Sequence, residues 1–283
     1  MQLDTFQTAS QFLAVVQEDL EQFETKNSLI LGITLSLRKL PVSLDITPTF
    51  IVVREQDVNV LIAVLVPPHP VLLAIPGKHS ASSFQLLADY LCNANLPVSG
   101  VNAADGYSSI FAEEWIRMTG KSVKHTIHQK LFQLTKVVDN LPAVKGTLRP
   151  ATLDDLGLMR QWITAFEIDV FGESHMPSER VMQRVTQGEL YIWESETPHC
   201  MAGKSRPTDN TISINGVYTP KEWRRQGFAT ATVANLSKEL LDEGYSKCVL
   251  YTDMANPTSN CIYQKIGYEP VCNFAHVHFN TRA

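Results

Sequence analysis

Two adjacent arginines closely followed by a glycine, Arg224-Arg225-Gln226-Gly227-Phe228-Ala229, are the residues of this chain best arranged to do chemistry. Guanidinium groups hold phosphate oxygens through charge-assisted, often bidentate hydrogen bonds. The flanking residues decide whether that chemistry is available. Ahead of the arginines, Ile212, Ile214 and Val217 with Tyr218 read as a buried strand. Behind them, Ala229, Val233, Leu236 and Leu240 recur at helical spacing, and Gly244 follows as a C′ glycine. A strand entering a glycine turn that opens a helix is an anion site by construction, because the first helical N–H groups lack partners and the dipole favours negative charge. The donors would be the backbone N–H groups of Gln226 to Thr230, and Gly227 permits the close backbone approach that side chains block. The turn is neither common nucleotide motif. No Lys-Ser or Lys-Thr follows Gly227, as a P-loop requires, and a single glycine does not make a dinucleotide fingerprint. Taken alone, the arginines would be a solvated basic turn; the spacing of Gly227 and Ala229 favours phosphate.

A second constellation lies downstream, where Asn256 and Asn260 precede Tyr263 and Gly267-Tyr268 closes the segment. With Arg-x-x-Gly-x-Ala at 224–229, the stretch 212–268 resembles the GNAT-type N-acetyltransferase superfamily. Two motifs in order, a helix and a strand apart, make that signal specific. The resemblance implies that Arg224 to Thr230 hold the pyrophosphate of acetyl-coenzyme A. It implies that the strand from Asn215 through Val217, Tyr218 and Thr219 pairs through its backbone with the pantetheine arm. A backbone N–H near Val217 would then meet the charge that develops on the thioester oxygen. Asn256 and Asn260 fall in the second cofactor motif, and Tyr263 would sit beside the sulfur and protonate the departing thiolate, a phenol and a thiol being of comparable acidity. The residues themselves also allow Tyr263 to join Ile262 and Ile266 on an apolar face. Asn256-Pro257 equally suits an N-cap with proline at N1, a role compatible with a cofactor contact. Many members of the superfamily carry a glutamate on the strand before the arginine turn. Residues 211–219 contain no carboxylate, which leaves Glu173, Glu189, Glu194 and His175 as candidate bases without a motif behind them.

The elements that must position these groups can be followed along both halves. At 283 residues the chain is long enough for about two domains. In the first half, Thr8 or Ser10 can cap a helix bearing Phe12, Val15, Val16, Leu20 and Phe23, and Asn27 or Ser28 can cap a second, Leu29 to Lys39, ended by Pro41. Alternation at Leu31, Ile33, Leu35 and Leu37 keeps a strand open there. Strands are expected at Phe50–Arg54, Val58–Val66 and Val71–Ile75, a helix opened by Ser82, a short strand at Val98–Val101, a helix over Ser108–Met118 ending at Gly120, and a strand-like run His125–Val138. In the second half, a strand over Gly146–Pro150 precedes a Thr152/Asp155 capping box and a helix bearing Leu156, Met159, Ile163 and Phe166. Then come a helix Ser178–Thr186, strands Glu189–Glu194, Cys200–Lys204 and Thr211–Tyr218, the helix after Gly227, a strand Lys247–Thr252, a helix Thr258–Ile266 and a strand region Tyr268–Phe279.

Both halves therefore read helix, helix, three strands, helix, strand, helix, strand. The expected fold class is α+β, two tandem GNAT-like domains with mostly antiparallel sheets, at 1–144 and 145–283. Only the second would keep a cofactor site: the equivalent segment of the first, Ile75-Pro76-Gly77-Lys78-His79-Ser80, lacks the arginine motif. Asn102 and Gly120 there echo Asn256 and Gly267, without the tyrosine.

Composition excludes several function classes. A formal net charge of −5 does not support a grip on nucleic acid or an anionic membrane. Five cysteines without a C-x-x-C pair fit free thiols in a reducing compartment, and the N-terminus lacks a signal-peptide pattern, so a cytoplasmic location is expected. No apolar run reaches the ~18 residues of a membrane span. His125 and His128 read as exposed, and His276 and His278 share a strand face as a pair; with no third ligand at fitting spacing, no metal is expected. The expected activity is acetyl transfer from acetyl-coenzyme A to a small-molecule primary amine by direct attack, with a homodimer possible and the first domain as a cleft wall or oligomer contact. A non-catalytic acyl-coenzyme A sensor is the competing expectation.

Overall fold

The computed structural model describes residues 1–39, 47–78, 80–104, 106–174 and 176–280. Pro41, His79 and His175 lie outside them. Contacts divide the chain into two compact units, the first comprising residues 1–131, 252–255 and 270–283, the second 132–251 and 256–269.

The first unit begins with β1 (Gln2–Phe6), α1 (Ala9–Glu21) and α2 (Glu24–Lys39). Thr8 caps α1 by accepting the Gln11 N–H at 3.2 Å. The second helix starts five residues before the expected Leu29, so Asn27 and Ser28 lie inside it and cap nothing. Both are buried, and Asn27 Nδ2 instead donates to the Leu20 carbonyl at 3.0 Å. Next come β2 (Thr49–Glu55), β3 (Val58–Leu65), β4 (Val71–Ala74), α3 (Ala81–Asn93), β5 (Gly100–Ala104), α4 (Tyr107–Thr119) and β6 (Val123–Leu134). The sheet runs β1-β2-β3-β4-β5, antiparallel except for the β4–β5 pair. β2 to β5 are largely buried on both faces, by the two-residue period, whereas the edge strand β1 is not. Val52, Ile62, Val64 and Leu72 pack against α1 and α2, whereas Ile51, Val53, Leu61 and Leu73 pack with residues of α3 and α4.

The second unit holds β7 (Thr147–Pro150), α5 (Leu156–Phe171), α6 (Ser178–Thr186), β8 (Leu190–Glu194), β9 (Pro198–Ser205), β10 (Thr211–Tyr218), α7 (Phe228–Asp242), β11 (Lys247–Asp253) and α8 (Pro257–Ile266). The Thr152/Asp155 capping box forms ahead of α5, over one turn of 3₁₀ helix. The sheet runs β7-β8-β9-β10-β11, again with one parallel pair, β10–β11. Leu190, Ile192 and Met201 pack with Met159, Trp162 and Val185 of α5 and α6; Ile212, Ile214, Cys248 and Leu250 pack with residues of α7 and α8.

Element order is the same in both halves, β-α-α-β-β-β-α-β-α-β, the last strand being β12 (Glu269–Phe279). Sequence patterning misses β1, whose five residues Gln2–Phe6 are too few to establish a period. It also places the final strand of each half within that half. Instead, β12 pairs antiparallel with β5, from Phe274↔Ala104 to His278↔Gly100, and Val277 and Phe279 complete the first unit's core. Reciprocally, Phe132 and Leu134 at the end of β6 enter the second unit's core beside Tyr263 and Ile266. Gly267 closes α8 with φ +111, and a Cβ there would meet the Lys136 carbonyl at 3.1 Å. Gly120 closes α4 likewise, so that echo between the halves holds. The other does not: Asn102 lies within β5, whereas Asn256 caps α8.

Candidate functional site

The arginine turn follows a strand that parts from its neighbour. β10 pairs with β11 only over Thr211–Ser213 against Lys247–Val249. Its register with β9 then shifts between Asn215 and Tyr218, around Gly216 at φ +59. A bulge of this kind bends the strand and re-aims the chain beyond it. β10 is fully buried up to Ile214 and half-buried from Asn215 onward, so Asn215 to Tyr218 form an accessible strand segment without a ladder partner on β11.

At the end of that segment Gly227 takes φ +88 and caps α7. The first hydrogen bond that closes on this cap is from the Ala231 N–H to the Gly227 carbonyl at 3.0 Å, so the N–H groups of Phe228, Ala229 and Thr230 have no intrahelical acceptor, and no side chain caps them. The adjacent arginines, equivalent in sequence, differ in the fold. Arg224 is committed: Nη2 binds Asp169 Oδ2 at 2.7 Å, Nε donates to the Thr219 carbonyl at 2.9 Å, and the guanidinium lies 5.8 Å from the centre of the Tyr218 ring. Arg225, at φ +65, is exposed and makes no hydrogen bond or ion pair among the described residues. Gln226 steadies the turn by donating to the Glu222 carbonyl at 3.2 Å. The Phe228 side chain points inward, stacked on His199 at 4.4 Å with Trp223 at its edge, so only its N–H belongs to the turn. His199, Trp223 and Phe228 line a hollow of about 600 Å³ with Lys145 and Gln226.

Tyr263 lies in the core of the same unit, its ring 6.0 Å from Tyr268 and 6.5 Å from Phe132. Burial, reinforced by nearby Cys200, pushes its phenol up to about 12. The same burial pushes the Cys200 thiol up to about 11, although Thr219 Oγ1 donates to the sulfur at 3.2 Å. Asn256 caps α8 by accepting the Ser259 N–H at 3.1 Å, ahead of Pro257, and Asn260 Nδ2 donates to the Asn256 carbonyl at 2.8 Å. Among the candidate bases, Glu189 and Glu194 are held in ion pairs by Arg184 and Arg149, Glu173 is exposed, and His175 lies outside the described residues. Sequence inspection missed Asp169, Cys200 and His199. The first is 55 residues from its arginine and none has a motif, so only the fold could have found them. Among the described residues no group of three His, Cys, Asp or Glu side chains is disposed to hold a metal, and no helix is long and apolar enough to cross a membrane.

Comparison with known folds now decides the architecture. A Drosophila protein superposes with a TM-score of 0.70 at 11% identity, covering 98% of each chain. A GCN5-related N-acetyltransferase from Sphaerobacter thermophilus gives 0.61 at 12% identity, covering 98% of this chain and 95% of that one. A tandem GNAT protein from the clavulanic acid biosynthesis pathway gives 0.57 at 13% identity, each chain covered in full. The fold is a tandem GNAT fold. Residues 192–277 also match the FR47-like protein family, a span that runs from β8 through the arginine turn into β12 of the second GNAT half. No curated protein sequence matches the chain.

Proposed function

We propose that the second unit is an acetyl-coenzyme A-dependent N-acetyltransferase acting on a primary amine. One observation carries the proposal: a bulged strand without a neighbour on one side leads directly into a glycine-capped helix start with three N–H groups open and an uncommitted arginine beside them. The strand edge suits an extended amide-bearing arm, and the helix start suits a diphosphate. Arg225 supplies the positive charge; Arg224 shapes the turn by tying it to α5 and to the Thr219 carbonyl.

Transfer by direct attack forms a C–N bond at the thioester carbonyl and breaks the C–S bond. The amine nitrogen gives up one proton to water as the amide forms; the thiolate needs one, which Tyr263 holds at its Oη and regains from water afterwards. At about 12 the phenol would be a poor donor to a thiolate in water, where thiols titrate near 8.5. The neighbouring Cys200 shows what burial does to a thiol in this place: it too rises, to about 11. Burial therefore moves a phenol and a thiol in the same direction here, which keeps proton transfer between them accessible.

Calorimetric titration with acetyl-coenzyme A tests the reading on wild type, Arg225→Ala and Tyr263→Phe. Binding by wild type, weakened at least about tenfold in Arg225→Ala and unchanged in Tyr263→Phe, is expected. Absence of both heat and thermal stabilisation in wild type would remove the proposal. Binding without turnover of any amine would reduce the unit to an acyl-coenzyme A-binding module.

A further inference from the structure

At the point where β10 leaves β11, two guanidinium groups lie close together with one carboxylate, Glu189, which is bound by Arg184 alone. Ser213 and Asn215 flank that point, on the face of β10 opposite the core residues Ile212 and Ile214. Arg184, reaching in from α6, donates through Nη2 to Asn215 Oδ1 at 3.1 Å and through Nε to Glu189 Oε2 at 3.0 Å, with a side chain only 11% exposed. Arg206, in the turn between β9 and β10, donates through Nη2 to Ser213 Oγ at 2.7 Å. That is its one hydrogen bond among the described residues, out of five available donors. Asn215 is held from its other end by donating to Ser205 Oγ at 2.6 Å. Arg206 occupies a left-handed backbone conformation, φ +53, uncommon for a residue with a side chain and frequent at functional turns.

The charged groups that act on the two guanidiniums are Glu189, each other and exposed Arg180, with the Tyr251 phenol beside Arg206. One formal negative charge faces two fixed positive charges in a partly buried place, where an unmatched charge is unfavourable unless an anion arrives. The helix start proposed for the cofactor's phosphates lies elsewhere: five strand residues, 214–218, separate Ser213 from Thr219, and the arginines and Gly227 follow only after that.

We propose that the acceptor amine carries a carboxylate, and that Arg206, backed by Arg184, binds it beside Ser213 and Asn215. This deepens the acetyltransferase reading and rests on it. An amino acid class of acceptor follows, the amine presented to the strand segment after Asn215 while the carboxylate remains on the arginine pair.

The test uses the whole chain and matched acceptor pairs, L-leucine, L-phenylalanine and β-alanine beside their primary amides. It measures thiol release from acetyl-coenzyme A, product mass, and the melting temperature of the acetyl-coenzyme A complex. Carboxylates should exceed their amides by about tenfold or more in kcat/KM, through KM, the scale of one charge-assisted hydrogen-bonded pair. In Arg206→Gln that preference should collapse to within about threefold, while acetyl-coenzyme A affinity, which also reports folding, stays at the wild-type value. Arg206→Lys should keep part of the preference. Equal handling of acids and amides, a preference that survives Arg206→Gln, or a panel in which no carboxylate is acetylated or stabilises the complex would each overturn the proposal. If acetyl-coenzyme A itself fails to bind wild type, the acetyltransferase reading falls first and this one with it. Stabilisation by sodium sulfate equal to that by every amino acid would mark a free-anion site and would also overturn it.

Discussion

Three stacked imidazoles in the first unit should make that unit acid-labile in a defined pH window. The His276 and His278 rings are 3.8 Å apart on one face of β12, and His125 of β6 stacks on His278 at 4.1 Å. The Nε2 atoms of His276 and His278 are buried without a hydrogen-bond partner. Burial first, then the like charges of His278, His125 and His69, push His276 down to about 3; burial, His125 and Lys124 push His278 down to about 4. Both folded values lie below the unfolded value of about 6.5. The neutral stack therefore contributes its full stability above about pH 6.5 and loses it as pH falls toward 4 and then 3. At pH 5 neither group has reached its folded value, so the loss is set by the unfolded chain, about 1.5 units or about 2 kcal/mol for His276; solvent screens the less buried His278 and cuts its share to about half, so the pair loses about 3 kcal/mol. The assay is urea denaturation at pH 7 and pH 5 of wild type and of a His276→Asn, His278→Asn double variant, whose side chains do not titrate. Carboxylates change alike in both proteins and cancel in the difference. Wild type should lose about 3 kcal/mol more than the variant between the two pH values. Equal losses would show that the rings are not held neutral, and the reasoning from burial would fail.

Three further outcomes rest on particular contacts. Gly227→Ala places a Cβ 3.1 Å from Val144 Cγ2 on a backbone at φ +88, so it should cost about 1–2 kcal/mol in thermal unfolding and weaken acetyl-coenzyme A binding more than Arg224→Ala does. Asn256→Ala removes the α8 cap and should cost about 1 kcal/mol, whereas Asn256→Asp should be near neutral; circular dichroism melts separate the two. Arg149→Met removes the strongest contact holding the Asp155 carboxyl down to about 2 and leaves the Thr152 capping box in place, so NMR titration should find Asp155 raised toward the ordinary 3.9. Because the wild-type value is depressed, the accompanying stability loss should be present above about pH 4 and vanish as pH falls toward 2.

Elements carrying their own punctuation were legible in the sequence, and elements defined by distant partners were not. The capping box at Thr152, the helix Ser178–Thr186, the strand Thr211–Tyr218 and the stops at Gly120, Gly244 and Gly267 are all set by residues within one or two turns, and the fold agrees with them. The start of α2 was misread because Asn27 and Ser28, good caps in isolation, are drawn into the helix by contacts across the α1–α2 turn. The exchange of β6 and β12 left no local trace. Each has the alternating pattern of a final strand, and nothing in such a pattern says which half's open edge it will meet. The same limit hid the site's support. Arg225 and Arg224 could not be told apart until Asp169, Tyr218 and the Thr219 carbonyl were brought to one of them.

The duplication explains why chemistry should be sought in one half rather than both. Each unit has a parallel pair at the same place in its sheet, β4–β5 in the first and β10–β11 in the second, followed by a connection to a helix. In the second unit the strand runs on past its last pair with β11 through a glycine bulge, and the connection ends in Gly227 at a left-handed angle. In the first, β4 is four residues long and fully buried, and α3 starts after Ser80 with no glycine cap. The space between the equivalent elements, bordered by Leu72, Asn102, Tyr107 and Phe274, is about 10 Å³, room for about one water. A pantetheine arm needs far more. What separates the halves is therefore not their fold but a few residues of strand length, one bulge and one glycine, and of these only Gly227 is marked by its spacing in the sequence.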